Sequence, residues 1–197
     1  SVTVRLKENP IPYVSRGGLK LEAALDHFKI DPNGWTVADL GASTGGFTDC
    51  LLQRGAQKVF AIDVGYGQLA WKLRQDDRVV VMERTNARHL ETLDEHLDLI
   101  VGDLSFISLT KILPTIIRLS TSETLAVLLV KPQFEVGREA VGKGGVVKNE
   151  ADRSAAIEAV VQAAEQGGAT CHGVIDSPIA GAKKGNIEAL ICLSFGE

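Results

Sequence analysis

The first residues that could do chemistry are two aspartates separated by a glycine-rich turn. Asp39 lies in a short apolar run, and Asp63 ends the next apolar run along the chain. Missing glycine side chains let a ligand approach the backbone, whose amides at a helix start form a polar cradle. A strand, a glycine turn, a helix and a second strand ending in an acid are the parts of a site that binds an adenosine ribose. The turn consists of Gly41, Ala42, Ser43, Thr44, Gly45, Gly46 and Phe47.

Three other interpretations of this turn are weaker. A dinucleotide site is disfavoured because Ser43 stands where the second glycine should admit a pyrophosphate. The segment 41–45 matches the nucleophile elbow of hydrolases, but too little chain precedes Ser43, and an acid and a histidine for a triad are only loosely available. A turn that merely joins a strand to a helix leaves Asp39 and Asp63 unexplained. We therefore expect a nucleoside cofactor, and specifically S-adenosylmethionine.

A lysine closes the most apolar run of the chain. Lys131 follows the run 125–130, and buried lysines are rare unless they are paired, because desolvating the ammonium group is expensive. The side chain could snorkel from the edge of a sheet. Because Asp103 leaves the neighbouring predicted strand, we favour a Lys131–Asp103 pair in a cleft.

The elements that must position these residues alternate between strands and helices. Unbroken apolar strands between helices are typical of a parallel sheet buried on both faces, whose ligands bind beyond the carboxyl ends of the strands. We predict helices over 15–29, 46–53, 68–74, 109–118 (with Pro114 as a kink or restart) and 150–166, strands over 37–40, 59–63, 79–82, 97–101, 125–130, 169–175 and 187–195, and a long glycine-rich loop over 132–149.

Composition indicates one globular domain in a reducing compartment. The chain has 197 residues, of which 45% are hydrophobic and 23% charged, and no apolar run approaches the roughly 20 residues that span a bilayer. Three widely spaced cysteines, Cys50, Cys171 and Cys192, predict buried thiols in the cytoplasm. With a net charge of −4, any RNA binding must come from a local basic face or another domain. The first residue is Ser rather than Met, which suggests an upstream segment.

Seven stretches, in the right order, resemble the TlyA family of ribosomal RNA 2′-O-methyltransferases, some of which are called hemolysins, and more widely the FtsJ-type RNA methyltransferases. The resemblance implies a Rossmann-like class I S-adenosylmethionine-dependent methyltransferase fold with a mostly parallel seven-stranded sheet. The stretches are YVSRGGLK (13–20), DLGASTGGFTD (39–49), AIDVGYGQL (61–69), RTNAR (84–88), DLSFISL (103–109), VKPQFE (130–135) and GNIE (185–188).

The same resemblance implies a catalytic tetrad of Lys20, Asp103, Lys131 and Glu188. A free lysine, with a pKa of about 10.4, is protonated at neutral pH; a second lysine and burial lower that pKa, whereas carboxylates raise it. We expect Lys131 to accept the proton of the ribose hydroxyl or to orient its oxygen, with Asp103 and Glu188 positioning it. Lys20 would tune the field and help to hold the substrate.

The expected cofactor contacts follow the strand ends. Asp39 and the turn 41–47 should meet the methionine end of the cofactor, and Asp63, with Val64 beside it, should accept from the ribose hydroxyls. Asn86 should lie by the adenine, and Asp103 near the methyl group. No metal is required, because the sequence has no cluster of His, Cys and carboxylates at ligand spacing.

Ribosomal RNA, or a ribosomal subunit, is the partner that the family resemblance implies. Basic side chains along the same edge should contact its phosphates without reading sequence. The family usually carries an N-terminal S4-type RNA-binding domain, so we interpret residues 1–14 as a linker from such a domain and residues 15–197 as the methyltransferase domain. The candidate phosphate contacts are Arg16, Arg138, Lys143, Lys148, Lys183 and Lys184.

The sequence therefore predicts methylation of a ribose 2′-hydroxyl in ribosomal RNA, at cytidine. One alternative is nitrogen methylation, since the segment 103–106 faintly resembles the acid-Pro-Pro-aromatic turn of amino-group methyltransferases, although both prolines are absent. The other is a membrane-lytic hemolysin, which requires an amphipathic or exposed apolar segment that the sequence does not show at adequate length.

Overall fold

The computed structural model describes residues 11–181 and 185–196, and within them the chain forms one seven-stranded sheet with helices on both faces. The strands are β1 (Thr36–Leu40), β2 (Lys58–Ile62), β3 (Val79–Met82), β4 (Leu99–Gly102), β5 (Leu125–Val130), β6 (Ala169–Asp176) and β7 (Ala189–Phe195). The helices are α1 (Gly17–Phe28), α2 (Gly46–Gln53), α3 (Trp71–Arg74), α4 (Leu113–Leu119), α5 (Pro132–Glu135) and α6 (Glu150–Gln166), with 3₁₀ turns at Ala87–His89, Leu109–Lys111 and Arg138–Ala140.

The strand order is β3-β2-β1-β4-β5-β7-β6. Strands β1 to β5 pair in parallel, whereas β7 runs antiparallel to both of its neighbours. The order reverses between β1 and β4, and a crevice opens at such a reversal beyond the carboxyl ends of the strands. The segments that follow β1 and β4 therefore border the place where an open α/β sheet binds its ligand.

The central strands are apolar on both faces because helices cover both faces. Successive residues of β5 illustrate this: Leu128 packs in the layer of α4 and α6, and Leu129 packs in the layer of α1 and α2. Both side chains are almost fully buried. The continuous apolar run thus indicated a mostly parallel, doubly covered sheet correctly.

Two predicted helices differ from the structure for local reasons. The helix expected over 68–74 begins only at Trp71, because the amide of Ala70 donates to the carbonyl of Thr44 (3.0 Å) and Ala70 is extended. The helix expected over 109–118 is a 3₁₀ turn followed by α4, with Pro114 in the first turn of α4. Proline lacks the amide that a continuous helix would need there, so the restart prediction is confirmed.

Strand ends and the long loop also differ. Strand β7 begins at Ala189 rather than at Ile187, whose carbonyl accepts from the Arg153 side chain (3.0 Å) instead of from a strand. Strand β4 begins at Leu99, since the carbonyl of Leu97 accepts from the Thr124 hydroxyl (2.7 Å). The loop predicted over 132–149 contains α5 and the 3₁₀ turn at Arg138–Ala140.

The cysteines lie in both layers of the core. Cys50 and Cys192 are buried, and burial raises the pKa of each thiol to about 11, so both stay protonated at neutral pH. Cys171 is half-buried and packs on the opposite face of the sheet from Cys192. These are packing thiols, as their apolar surroundings in the sequence indicated.

Candidate active site

Two cavities meet at the crevice between β1 and β4. The first has a volume of about 440 Å³ and reaches α1, where Arg16 and Lys20 line it. The second, of about 510 Å³, extends past the end of β2, where Asp63 lines it. Both cavities share three residues as their common border: Gly41, Ser43 and Asp103. A ligand that fills both would therefore pass directly over the glycine turn.

The backbone at Gly41 permits this close approach. Gly41 has φ +82°, and a Cβ there would lie 2.8 Å from the carbonyl oxygen of Asp103. The amides of Gly41 and Ala42 both donate to the carbonyl of Ile62, at 2.8 and 3.0 Å. Glycine at this position thus lets the turn leave β1 against the neighbouring strand end, which brings Asp103 to the cavity border.

Asp63 fixes the geometry of the turn from the side of β2. One oxygen of its carboxylate accepts from the amide of Ser43 (2.8 Å), and the other accepts from the amide of Gly65 (2.7 Å). Each oxygen keeps a further lone pair, so the carboxylate can still accept from a ligand hydroxyl. Val64 and Asn86 also line this cavity, so the structure brings these predicted residues together at one wall.

Asp39 occupies a different place from the other predicted cofactor residues. Its carboxylate is fully buried beneath the turn, where it accepts from the Thr48 hydroxyl (2.7 Å). Among the described residues, its Oδ1 atom has no hydrogen-bond partner. Burial raises the pKa of Asp39 to about 7, and the hydrogen bond from Thr48 opposes that shift in part. Asp39 therefore supports the turn from below and presents no surface to either cavity.

Lys131 and Asp103 form an ion pair at the cavity border. The Nζ atom of Lys131 lies 2.5 Å from Oδ1 of Asp103 and donates to the Ser105 hydroxyl at 2.8 Å. The lysine side chain is 9% exposed, whereas that of Asp103 is 25% exposed. The pair is therefore held on one side by protein and open on the other side to the cleft.

Lys20 and Glu188 form a second ion pair, which is almost closed to solvent. The Nζ atom of Lys20 lies 2.6 Å from Oε2 of Glu188, and the two side chains are 9% and 2% exposed. We expected Glu188 to position Lys131, but its carboxylate accepts its hydrogen bond from Nζ of Lys20. Glu188 precedes β7 and Lys131 follows β5; since Val130 pairs with Ala189, the two backbones lie side by side.

Glycines at the contact between α1 and α2 allow α1 to place Lys20 at the first cavity. A Cβ at Gly46 would lie 2.2 Å from the Ser15 hydroxyl, and a Cβ at Gly18 would lie 2.3 Å from the ring of Tyr13. Helix α1 can therefore pack its first turn closely against the first turn of α2. Lys20 lies one turn into α1 and, through this contact, lines the same cavity as the glycine turn.

The structure describes four of the six predicted RNA-contacting residues, and all four are exposed. Arg16 lines the first cavity and donates to the carbonyl of Ala180 (3.0 Å). Arg138 lines a third cavity, of about 610 Å³, that adjoins the end of β4. Lys143 and Lys148 are exposed in the loop after α5. Lys183 and Lys184 lie outside the described residues.

The sequence analysis missed an aromatic pair at this opening. Phe106 is 88% exposed and has φ +64°, and its ring centroid lies 5.2 Å from that of Phe134. Glu135 holds the two supporting loops together by accepting from the Ser108 hydroxyl (2.5 Å) and the Leu109 amide (2.8 Å). A signal was available, because each phenylalanine closely follows a predicted catalytic residue at a strand end.

The described part of the chain contains neither a cluster of metal ligands nor a membrane-spanning helix. Within residues 11–181 and 185–196, no group of three or more His, Cys, Asp or Glu side chains could hold a metal ion. None of the helices in those residues is both long enough and apolar enough to cross a bilayer.

The fold is that of S-adenosylmethionine-dependent methyltransferases with a Rossmann-like sheet. The structure of Aeropyrum pernix fibrillarin in complex with S-adenosyl-L-methionine is similar to this chain with a TM-score of 0.61. The similarity covers 88% of this chain and 74% of that one at 14% sequence identity, so it establishes the fold alone.

Closer comparisons establish the family. The model of the FtsJ-like methyltransferases matches residues 13–195, and the chain belongs to that family. TlyA of Mycobacterium tuberculosis, named a 16S/23S rRNA (cytidine-2′-O)-methyltransferase, is 51% identical over 183 residues, which cover 92% of this chain and 68% of the relative. The structure of a candidate hemolysin from Streptococcus thermophilus is 45% identical, with a TM-score of 0.92 over 97% of this chain and 70% of that one.

Proposed function

We propose that this chain transfers a methyl group from S-adenosylmethionine to a ribose 2′-hydroxyl of ribosomal RNA, at cytidine. The observation that carries the proposal is the Lys131–Asp103 pair at the border shared by the two cavities. Membership of the FtsJ-like family and the name of the M. tuberculosis relative support both the reaction and the substrate. The cytoplasm, where ribosomal RNA is modified, is the corresponding location.

The residues around the crevice fit this cofactor. The cavity beside Asp63 would take the adenosine, with the free lone pairs of that carboxylate accepting from the ribose hydroxyls. The side chain of Asn86 would lie at the adenine, and the backbone at Gly41 would face the methionine part. When bound, S-adenosylmethionine supplies a methyl group on a sulfonium that is already a good leaving group.

The chain itself must align the ribose oxygen and remove one proton. The carboxylate of Asp103 and the hydroxyl of Ser105 both accept from Nζ of Lys131, so the amino group is held between two residues that line the second cavity. Lys131 would hold the 2′-oxygen in line for transfer, and its neutral amine form, reached when the ammonium has released one proton to solvent, would take up the hydroxyl proton. Positioning and proton transfer of this kind are the two contributions that a weak nucleophile most needs.

The Lys20–Glu188 pair would contribute to RNA binding and to the electrostatic field in the first cavity. Lys20 lines the cavity opposite Asp103, and Glu188 holds it there without occupying the cavity itself. A cation at that place attracts an RNA phosphate, and the exposed cations Arg16, Arg138, Lys143 and Lys148 extend the same attraction outward. The exposed ring of Phe106 offers a face on which an unpaired base can stack.

The experiment is transfer of labelled methyl from S-adenosylmethionine to intact ribosomal subunits and to naked ribosomal RNA. Label in the RNA, within a dinucleotide that resists alkali, is the expected result, because only 2′-O-methylation protects the adjacent phosphodiester. Label in a base would indicate nitrogen methylation instead. Leakage of liposomes by the purified protein, unchanged in Lys131→Ala, would favour a membrane-lytic activity and contradict the proposal.

A further inference from the structure

Asn186 lies in the stretch GNIE, two residues before the tetrad member Glu188. The tetrad gives no role to Asn186 itself, whose side chain is 1% exposed. Its Oδ1 atom accepts from the amide of Val147 (3.0 Å), and its Nδ2 atom donates to the carbonyl of Gly145 (2.8 Å). A single buried amide thus satisfies a backbone donor and a backbone acceptor of another segment, and replacing it would leave both without this partner.

The segment that Asn186 holds is a small hairpin that faces solvent. The amide of Gly142 donates to the carbonyl of Val146 (2.9 Å), and the amide of Gly145 donates to the carbonyl of Gly142 (3.0 Å). Gly144 and Gly145 have φ +83° and +77°, conformations that glycine adopts without strain. Lys143 is exposed in this hairpin, so a phosphate can reach it.

On its other side, Asn186 adjoins the buried ion pair. Glu188 is two residues further along the chain, and between them the carbonyl of Ile187 accepts from Arg153 (3.0 Å). The carbonyl of Asn186 accepts from the amide of Gly181 (3.1 Å), and a Cβ at Gly181 would lie 2.5 Å from Oε1 of Glu188. The backbone around Asn186 therefore sets where the Glu188 carboxylate can lie.

We propose that Asn186 is a positioning residue that couples the hairpin over Gly142 to Val146 to the Lys20–Glu188 pair. RNA held by the hairpin then fixes Glu188, and through it Lys20, in the cavity where the ribose is placed. This inference rests on the proposed function. In this proposal, RNA binding to the hairpin affects the position of Glu188 and Lys20, and Asn186 is the residue that links the two places.

The test compares Asn186→Ala with Asn149→Ala as the matched control. The Asn149 side chain also accepts from a backbone amide, that of Ala151 (2.8 Å), but it is exposed at the start of α6. We expect Asn186→Ala to lower kcat for RNA methylation by about 10- to 100-fold, since small misplacements of a catalytic group cost up to about that much. Cofactor affinity should stay within about twofold, and Asn149→Ala should keep kcat.

A double-mutant cycle separates coupling from general destabilisation. In a Glu188→Gln background, where the ion pair is already broken, Asn186→Ala should lower kcat by less than about twofold, because the two changes act through one interaction. Independent effects that multiply would overturn the inference. So would a kcat of Asn186→Ala that equals that of the wild type.

Hydrogen exchange supplies a readout that needs no activity. In Asn186→Ala, amide exchange should become faster both in residues 142–147 and in residues 185–190, while α1 keeps its protection. Faster exchange in the hairpin alone would overturn the coupling. Asn186→Ser, whose shorter uncharged side chain cannot bond both backbone groups, should show the same pattern and serves if the alanine variant does not fold. A wild type without methyl transfer would contradict the proposed function, and exchange would still decide the coupling.

Discussion

The two lysine–carboxylate pairs contain the same chemical groups in different surroundings. Asp103 is 25% exposed at the border of both cavities, so the Lys131 pair can exchange partners and protons with a substrate. Glu188 is 2% exposed, so the Lys20 pair is fixed. The two lysines are equally buried, so the pairs differ in their carboxylates: we call the Lys131 pair open because Asp103 borders both cavities, and the Lys20 pair closed because Glu188 is buried behind Lys20.

The largest effect should come from the open pair. Lys131→Ala removes the group that orients the ribose oxygen and takes its proton, and we expect methyl transfer to fall by about 10²- to 10⁴-fold. Single-turnover transfer measures the rate, and calorimetry measures cofactor affinity, which should be retained. If cofactor binding is lost as well, Lys131 is structural and the contrast between the pairs disappears.

The closed pair should matter most for stability. Glu188→Gln leaves the ammonium of Lys20 buried without a charged partner, which should lower the free energy of unfolding by about 3 to 5 kcal/mol. Denaturant unfolding measures this change. The exposed pair of Lys58 and Glu95 is the control, since Glu95→Gln should cost only about 0 to 1 kcal/mol. Equal losses in the two variants would show that the Lys20 pair is not the fixed support inferred here.

Another buried carboxylate, Asp39, has no cationic partner among residues 11–181 and 185–196 and so contrasts with both pairs. Its pKa is about 7 in the folded chain and near 4 when unfolded, so the folded state binds the extra proton between those values. The stability from this group is therefore complete below about pH 4 and is lost as the pH rises through 7.

Asp39→Asn should remove that dependence. Relative to the wild type, the variant should gain roughly 2 to 3 kcal/mol between pH 5 and pH 8, measured by denaturant unfolding at each pH. The Thr48 hydroxyl can still donate to the amide oxygen. A difference that does not vary with pH would mean that Asp39 does not titrate in this range.

The smallest effect concerns the second hydrogen bond of the open pair. Ser105→Ala removes the hydroxyl that accepts from Nζ of Lys131, while the ion pair to Asp103 remains. We expect kcat to fall by about three- to tenfold, the value of one ordinary hydrogen bond, with little change in KM. A loss as large as that of Lys131→Ala would show that Ser105, rather than Asp103, sets the direction of the amino group.

Much of the fold and of the site could be predicted because strand ends and glycines carry strong local signals. The run that ends at Lys131 and the turn after Asp39 indicated the sheet and its crevice, and the resemblance to a family supplied Lys20 and Glu188. The Lys131–Asp103 pair was predicted from the neighbouring strand ends and is present, whereas the pairing of Glu188 with Lys20 could not be predicted, because it depends on how β7 pairs with β5. The depth of Asp39 and the link through Asn186 likewise depend on contacts between distant segments.

The position of β7 also orders the assembly of the site. This strand follows α6 and β6 in the chain, yet it lies between β5 and β6 in the sheet. During synthesis, the segment that inserts into this gap therefore emerges only after α6 and β6, and it brings Glu188 with it. Until that strand is inserted, Lys20 lacks its carboxylate partner, so the closed ion pair can form only in the last step of sheet assembly.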